Sequence, residues 1–155
     1  IDQLKLQTAE GKPYVIVRDV GTVGLAGPTE ANVPGDVRNF VSFVRNIGQD
    51  NHDNNDGGGY GFGKSVFFRF SGAKTLITFS HTSDENGKPV SRLMGMTLNR
   101  DCFERYRCTG RHWWGVKPSS DKDDFNQPLT GEQADALAAS IGFEKFGKNF
   151  KIVKR

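Results

Sequence analysis

Leu4 and Leu6 alternate with polar neighbours, and Tyr14-Val15-Ile16-Val17 is a denser apolar run beyond the turn-like Glu10-Gly11-Lys12, so the chain is expected to open with a hairpin. Gly24, Gly27, Pro28, Pro34 and Gly35 break any periodicity and mark a loop. Asp36 then stands where a helix cap is wanted, and Val37, Phe40, Val41, Val44 and Ile47 recur at helical spacing, which predicts a helix over 36–47 closed by Gly48. Residues 49–59 are nearly all Asn, Asp, Gln, His and Gly and carry nothing to bury, so a polar loop is expected there. Lys64 to Phe70 reads as a short helix with an apolar face, Thr75 to Phe79 as a strand, Glu85 to Lys88 as a hairpin turn and Val90 to Leu98 as the return strand. Residues 99–128 are irregular around Trp113 and Trp114. Thr130 with Gln133 forms a capping box for a helix through Ala134, Leu137, Ala138 and Ile141, ended by Gly142, and Phe150, Ile152 and Val153 suit a last strand. The pattern is α+β: a two-layer α/β sandwich is expected, with a mixed, mostly antiparallel sheet and helices on one face.

Composition narrows this only a little. At 155 residues the chain makes a single domain, and a net charge of +3 permits contact with nucleotides or nucleic acid without arguing for either. No apolar run approaches the roughly 20 residues of a membrane span. Two cysteines, Cys102 and Cys108, fit a reducing, cytoplasmic setting better than a disulfide framework. With His112 they make three zinc-type ligands, one short of a structural site. A first residue of Ile rather than Met is the mark expected of a piece of a longer protein.

The 19 glycines matter more, because many cluster. Gly58-Gly59-Tyr60-Gly61-Phe62-Gly63-Lys64-Ser65 matches the phosphate-loop pattern G-x-x-x-x-G-K-[ST] letter for letter, and bare backbone amides at a helix start suit an anion. A true P-loop follows a buried parallel strand, whereas Asn51 to Asp56 precede this one. A calcium loop through Asp53 and Asn55 fails in register, and the plain alternative is a solvated Asn/Gly linker. A second glycine box lies upstream, where the strand ending at Asp19 runs into Val20-Gly21-Thr22-Val23-Gly24.

These two boxes, in this order, resemble the GHKL ATPases of the Bergerat fold, the group that includes gyrase-like, chaperone-like, histidine-kinase-like and mismatch-repair ATPases. Asp19, Gly21 and Gly24 match the first box, Asp-x-Gly-x-x-Gly, with Thr22 inside it. Gly61-Phe62-Gly63-Lys64-Ser65 matches the second, with Gly58, Gly59 and Tyr60 at its mouth. The resemblance covers residues 1–100 closely and the rest loosely. It implies that Asp19 accepts a hydrogen bond from the adenine amino group, that Gly21 and Gly24 let the backbone approach base and sugar, and that the second box cups the phosphates with Lys64 as a point charge. It further implies an ATP lid at about 25–60, which moves other domains of a larger parent able to pair as a homodimer. Asp19 to Pro28 looks like a bacterial group of uncharacterised or defence-linked ATPases. The family's Glu base and magnesium-binding Asn sit on an opening helix that would precede Ile1, so hydrolysis with ATP and Mg2+ is expected of the full-length protein and not of this piece. The family's late Gly-Thr pair is also replaced, by Gly147-Lys148.

Two other readings are open. One is a P-loop-type NTPase or kinase, in which Lys64 dominates. The other is a nucleic-acid-binding module built on His112-Trp113-Trp114 with Arg105, Arg107, Arg111 and Lys117; there the plain reading is tryptophans covering an apolar edge. His81 ends a strand with no evident partner in the sequence.

Overall fold

The computed structural model describes residues 15–19, 21–46, 62–84, 86–100, 102–103, 107–108, 110–117, 125–143 and 153–154. The expected strand at Leu4–Leu6, the polar loop at 49–59, and Gly58, Gly59, Tyr60 and Gly61 lie outside them. The fold is α+β, built on an antiparallel sheet.

The hairpin read from the sequence forms its centre. Strand β2 (Thr75–Ser83) pairs antiparallel with β3 (Pro89–Leu98), from Thr75 opposite Thr97 to Ser83 opposite Pro89. Its turn is set by Asp84, whose Oδ1 accepts the amides of Asn86 and Lys88 at 2.8 and 2.9 Å, an Asx-type arrangement. The other edge of β3 is shared. Strand β6 (Arg111–Trp114) pairs with Gly95 to Leu98, and β7 (Leu129–Thr130) pairs with Arg92 and Leu93. The tryptophans expected in an irregular region therefore lie on a strand. Two small ladders stand apart from this sheet: β1 (Val15–Ile16) with β8 (Val153–Lys154), and β4 (Cys102–Phe103) with β5 (Arg107–Cys108). Although β1 reads as a core strand, it is two residues long, and Val15 and Val17 are exposed.

Alternation along the strands divides the core in two. Met94 and Met96 face one way, with Leu76, Leu98, Phe40, Val44, Phe68 and Trp113. Leu93, Ile77 and Phe79 face the other way, with Leu129, Ala134, Ala138 and Leu137. Helix α1 (Phe62–Phe70) supplies Phe68 to the first layer, and helix α2 (Gly131–Ser140) supplies Ala134 and Ala138 to the second. The helices thus cover opposite faces. The expectation of one covered face does not hold, because β3 buries both its faces and each needs a cover.

That segment is shorter than its periodicity predicts. The Phe40 amide would bond the Asp36 carbonyl in a helix begun at Asp36; it donates instead to Ala26 O at 3.0 Å, so helical structure starts at 39. A π-turn follows (Val41–Arg45), with Asn46 N donating to Val41 O. The predicted apolar face survives in Phe40, Val41 and Val44, all buried, while Val37 is exposed. Thr130 is the N-cap of α2 without a side-chain cap bond. At the other end Gly142 has φ +90°, and Phe143 N bonds Ala138 O while Gly142 N bonds Ala139 O, the paired closure expected of a glycine stop.

Candidate functional site

The first glycine box starts on a short, solvent-facing element. Asp19 is exposed rather than buried, and its Oδ2 accepts a hydrogen bond from Thr22 Oγ1 at 3.1 Å. Thr22 Oγ1 in turn accepts the Gly24 amide at 3.3 Å, so the carboxylate, hydroxyl and turn form one local unit. Gly21 has φ +78°, and a side chain there would meet nothing within 4 Å. Gly24 is different. A Cβ at Gly24 would lie 2.6 Å from Ser80 Oγ and 2.7 Å from His81 O, so this glycine lets the loop seat on the protein's own sheet.

The loop is then fastened carbonyl by carbonyl. Val23 O accepts from Thr82 Oγ1 at 2.8 Å, Gly24 O from Asn39 Nδ2 at 3.1 Å, and Leu25 O and Gly27 O from Arg92 Nη1 at 2.9 and 2.7 Å. The Leu25 amide donates to Ser80 Oγ at 2.9 Å. The sequence patterns mark none of Ser80, Thr82 and Arg92, and Asn39 only as a poor stand-in for the family's magnesium-binding Asn. The available signal was Arg92, a lone cation inside an apolar strand whose neighbours on β3 are buried.

The described part of the second box is the start of α1, holding Phe62, Gly63, Lys64 and Ser65. Lys64 is neither an exposed cation nor one pointing into open space: its ammonium is half-buried and donates to the Ser42 carbonyl. Burial holds the Lys64 amine below the ordinary lysine value. The rings of Phe43 and Phe67 meet at 6.2 Å and tie α1 to the same segment. Asn39 touches the first box and Ser42 the second, and these residues stand one helical turn apart. Gly24 and Lys64, 40 positions apart in sequence, therefore each bond to the segment at 39–45.

Other candidates resolve differently. Trp113 Nε1 donates to Val44 O at 2.8 Å, and a side chain at Gly95 would meet the Trp114 ring at 3.1 Å, so both indoles are engaged inside the fold. Arg45 is buried beside Phe40, Trp113 and Phe125, donating to Thr29 O at 3.0 Å and Asn126 O at 2.7 Å. Its charge is disfavoured by that burial and partly supported by Glu30. His81 does find a partner, since Ser91 Oγ lies 2.9 Å from its Nδ1 across the hairpin. A groove of about 460 Å3 beside Arg92, Thr29 and Gln127 takes in neither glycine box. Among the described residues no group of His, Cys, Asp or Glu side chains can hold a metal ion, and the side chains of Cys102 and Cys108 fall outside that set. No helix among the described residues is long and apolar enough to cross a membrane.

No family model, curated protein or solved structure matches the chain.

Proposed function

We propose that the chain is the ATP-binding module of a GHKL-type ATPase, in which nucleotide binding drives a conformational change in a larger bacterial protein. The observation that carries this reading is the turn at 39–45, which binds the Gly24 carbonyl through Asn39 and the Lys64 ammonium through the Ser42 carbonyl. The first box and the start of α1 thus each bond to the same short segment, which suits one ligand drawing on both.

The residues at the first box fit an adenine. Asp19 offers an exposed carboxylate acceptor steadied by Thr22, and the side-chain direction of Gly21 is open. A carboxylate there accepts from the 6-amino group of adenine and repels the 6-oxygen of guanine, which gives base selectivity. At the second box, amides at the start of α1 and the nearby Lys64 suit phosphate oxygens. Because Lys64 is already bonded to Ser42, it serves as a positioned charge that must exchange a carbonyl for a phosphate. Magnesium has no ligand set among the described residues, so no step is assigned to it here. In this reading no residue of this chain is assigned to hydrolysis.

Of the expected lid at about 25–60, residues 25–46 are held by the core and by the contacts to Ser80 and Arg92, and 47–61 lie outside the described residues. The finer architecture, a two-layer sandwich, would apply to α1 and the sheet alone, with α2 as an added outer layer. The antiparallel pairing of every described strand supports this reading over a P-loop NTPase, whose phosphate loop is the strand-to-helix turn of a parallel sheet.

The test is ATP titration of the full-length protein with single substitutions. Asp19→Asn, which replaces an acceptor oxygen with a donor amide, is expected to weaken ATP binding by about 2 kcal/mol, roughly 30-fold, and Lys64→Ala by less. The reverse order, with Lys64→Ala abolishing binding and Asp19→Asn neutral, would establish the P-loop alternative. Salt-dependent DNA binding with no response to ATP would favour a nucleic-acid module.

A further inference from the structure

We infer that Arg92 and Ser80 form a cross-strand clamp that fixes the first glycine loop, making Arg92 a positioning residue for the nucleotide's base. The consequence for nucleotide rests on the ATP-binding reading above; the clamp itself rests on geometry alone.

Ser80 and Arg92 are direct partners in the β2–β3 register and lie on the same face. Ser80 is 0% exposed and Arg92 7% exposed, unusual places for a hydroxyl and a cation unless each is satisfied. Together they grip both ends of one residue: Ser80 accepts the Leu25 N–H and Arg92 donates to the Leu25 C=O. The same guanidinium nitrogen reaches Gly27 O, and the guanidinium carbon sits 5.7 Å from the Phe40 ring centroid. Thr82, two residues along β2 on that face, holds Val23 O. Alternate loop residues Val23, Leu25 and Gly27 are thus bound through side chains from the sheet face.

This matters for the site because Asp19 and Thr22 bond each other and the Gly24 amide, and so adjoin the clamped stretch. Gly24 sits directly between two clamp points, with no room for a side chain against Ser80. Lysine at 92 has the donors for both carbonyls but a shorter, non-planar head, so it would lose the guanidinium's placement against Phe40 while reaching for them.

The experiment measures hydrogen exchange of the loop amides and ATP affinity in the full-length protein, comparing Arg92→Met, Arg92→Lys and the milder Ser80→Ala. The clamp predicts that amides of residues 21–27 exchange at least about tenfold faster in Arg92→Met and Ser80→Ala while the amides of β2 and β3 keep their protection. ATP affinity should fall by about tenfold, ATP-over-GTP preference should shrink, and Arg92→Lys should not restore either. Loop exchange unchanged in both Arg92→Met and Ser80→Ala overturns the clamp. A released loop with unchanged ATP affinity and base preference overturns the positioning role and leaves the ATP reading standing. If the unsubstituted protein binds no ATP, the positioning role falls with the ATP reading, and loop exchange still decides the clamp. Should Arg92→Met not fold, Ser80→Ala decides alone.

Discussion

Three glycines in and just after the first box have the same letter and different physics. Gly27, at φ +88°, would place a Cβ 1.9 Å from the Val37 carbonyl oxygen, a backbone clash nothing nearby can relieve. Gly24, at φ +69°, meets a hydroxyl and a carbonyl of β2, while Gly21 meets nothing. Alanine at Gly21 should lose about 1–2 kcal/mol, the ordinary penalty of the left-handed conformation. Gly24→Ala should lose more and Gly27→Ala most, and urea midpoints of the three variants check the order. Lys64 makes a separate prediction. Its folded-state value lies below the ordinary 10.5, so in the interval beneath 10.5 the unfolded chain holds a proton that the folded chain releases. The protein's stability should therefore rise with pH through that interval relative to Lys64→Met, which has no amine there. Denaturation midpoints of both between pH 8 and pH 11, expressed as a difference, provide the check, and a flat difference contradicts it. Sequence shows that Gly24 and Lys64 are special, but not why. The atoms that crowd Gly24 and the carbonyl that holds Lys64 come from Ser80 and Ser42, at separations no local pattern encodes.

Elements of strong local period were legible: β2, β3, α1 and α2 fall within a few residues of where alternation and helical spacing place them. The helix expected from Asp36 was not, because a bond from Phe40 to Ala26 competes for the amide that would have begun it. Trp113 and Trp114 looked irregular because β6 is four residues long and borrows its order from β3. Which face each helix covers was also hidden, since β3 is buried on both sides and shows no alternation of polarity. The two cores make a test at this scale. Met96→Ala empties space in the layer of Phe40 and Phe68, and Leu93→Ala in the layer of Ala134 and Ala138. Each should cost about 2–5 kcal/mol, and because the cavities open on opposite faces the milder pair Met96→Leu and Leu93→Val should add to within about 0.5 kcal/mol. Strong coupling in that double variant would mean the layers are not independent.

Across the whole molecule, one short helical turn links the two glycine boxes, the core beneath β3, and Trp113 through the Val44 carbonyl. In the proposed reading, a ligand drawing on both Asp19 and the start of α1 would stiffen the segment between them. The resemblance that suggested a nucleotide was readable only as two boxes in order; the bonds of Gly24 to Asn39 and of Lys64 to Ser42 are marked by no motif. The most direct measurement follows amide resonances of residues 19–24 and 63–65 while ATP is added to the full-length protein. The account predicts that both groups shift together, at one affinity, and that Asp19→Asn weakens both. Shifts confined to one box, or centred on residues 111–117, would contradict it.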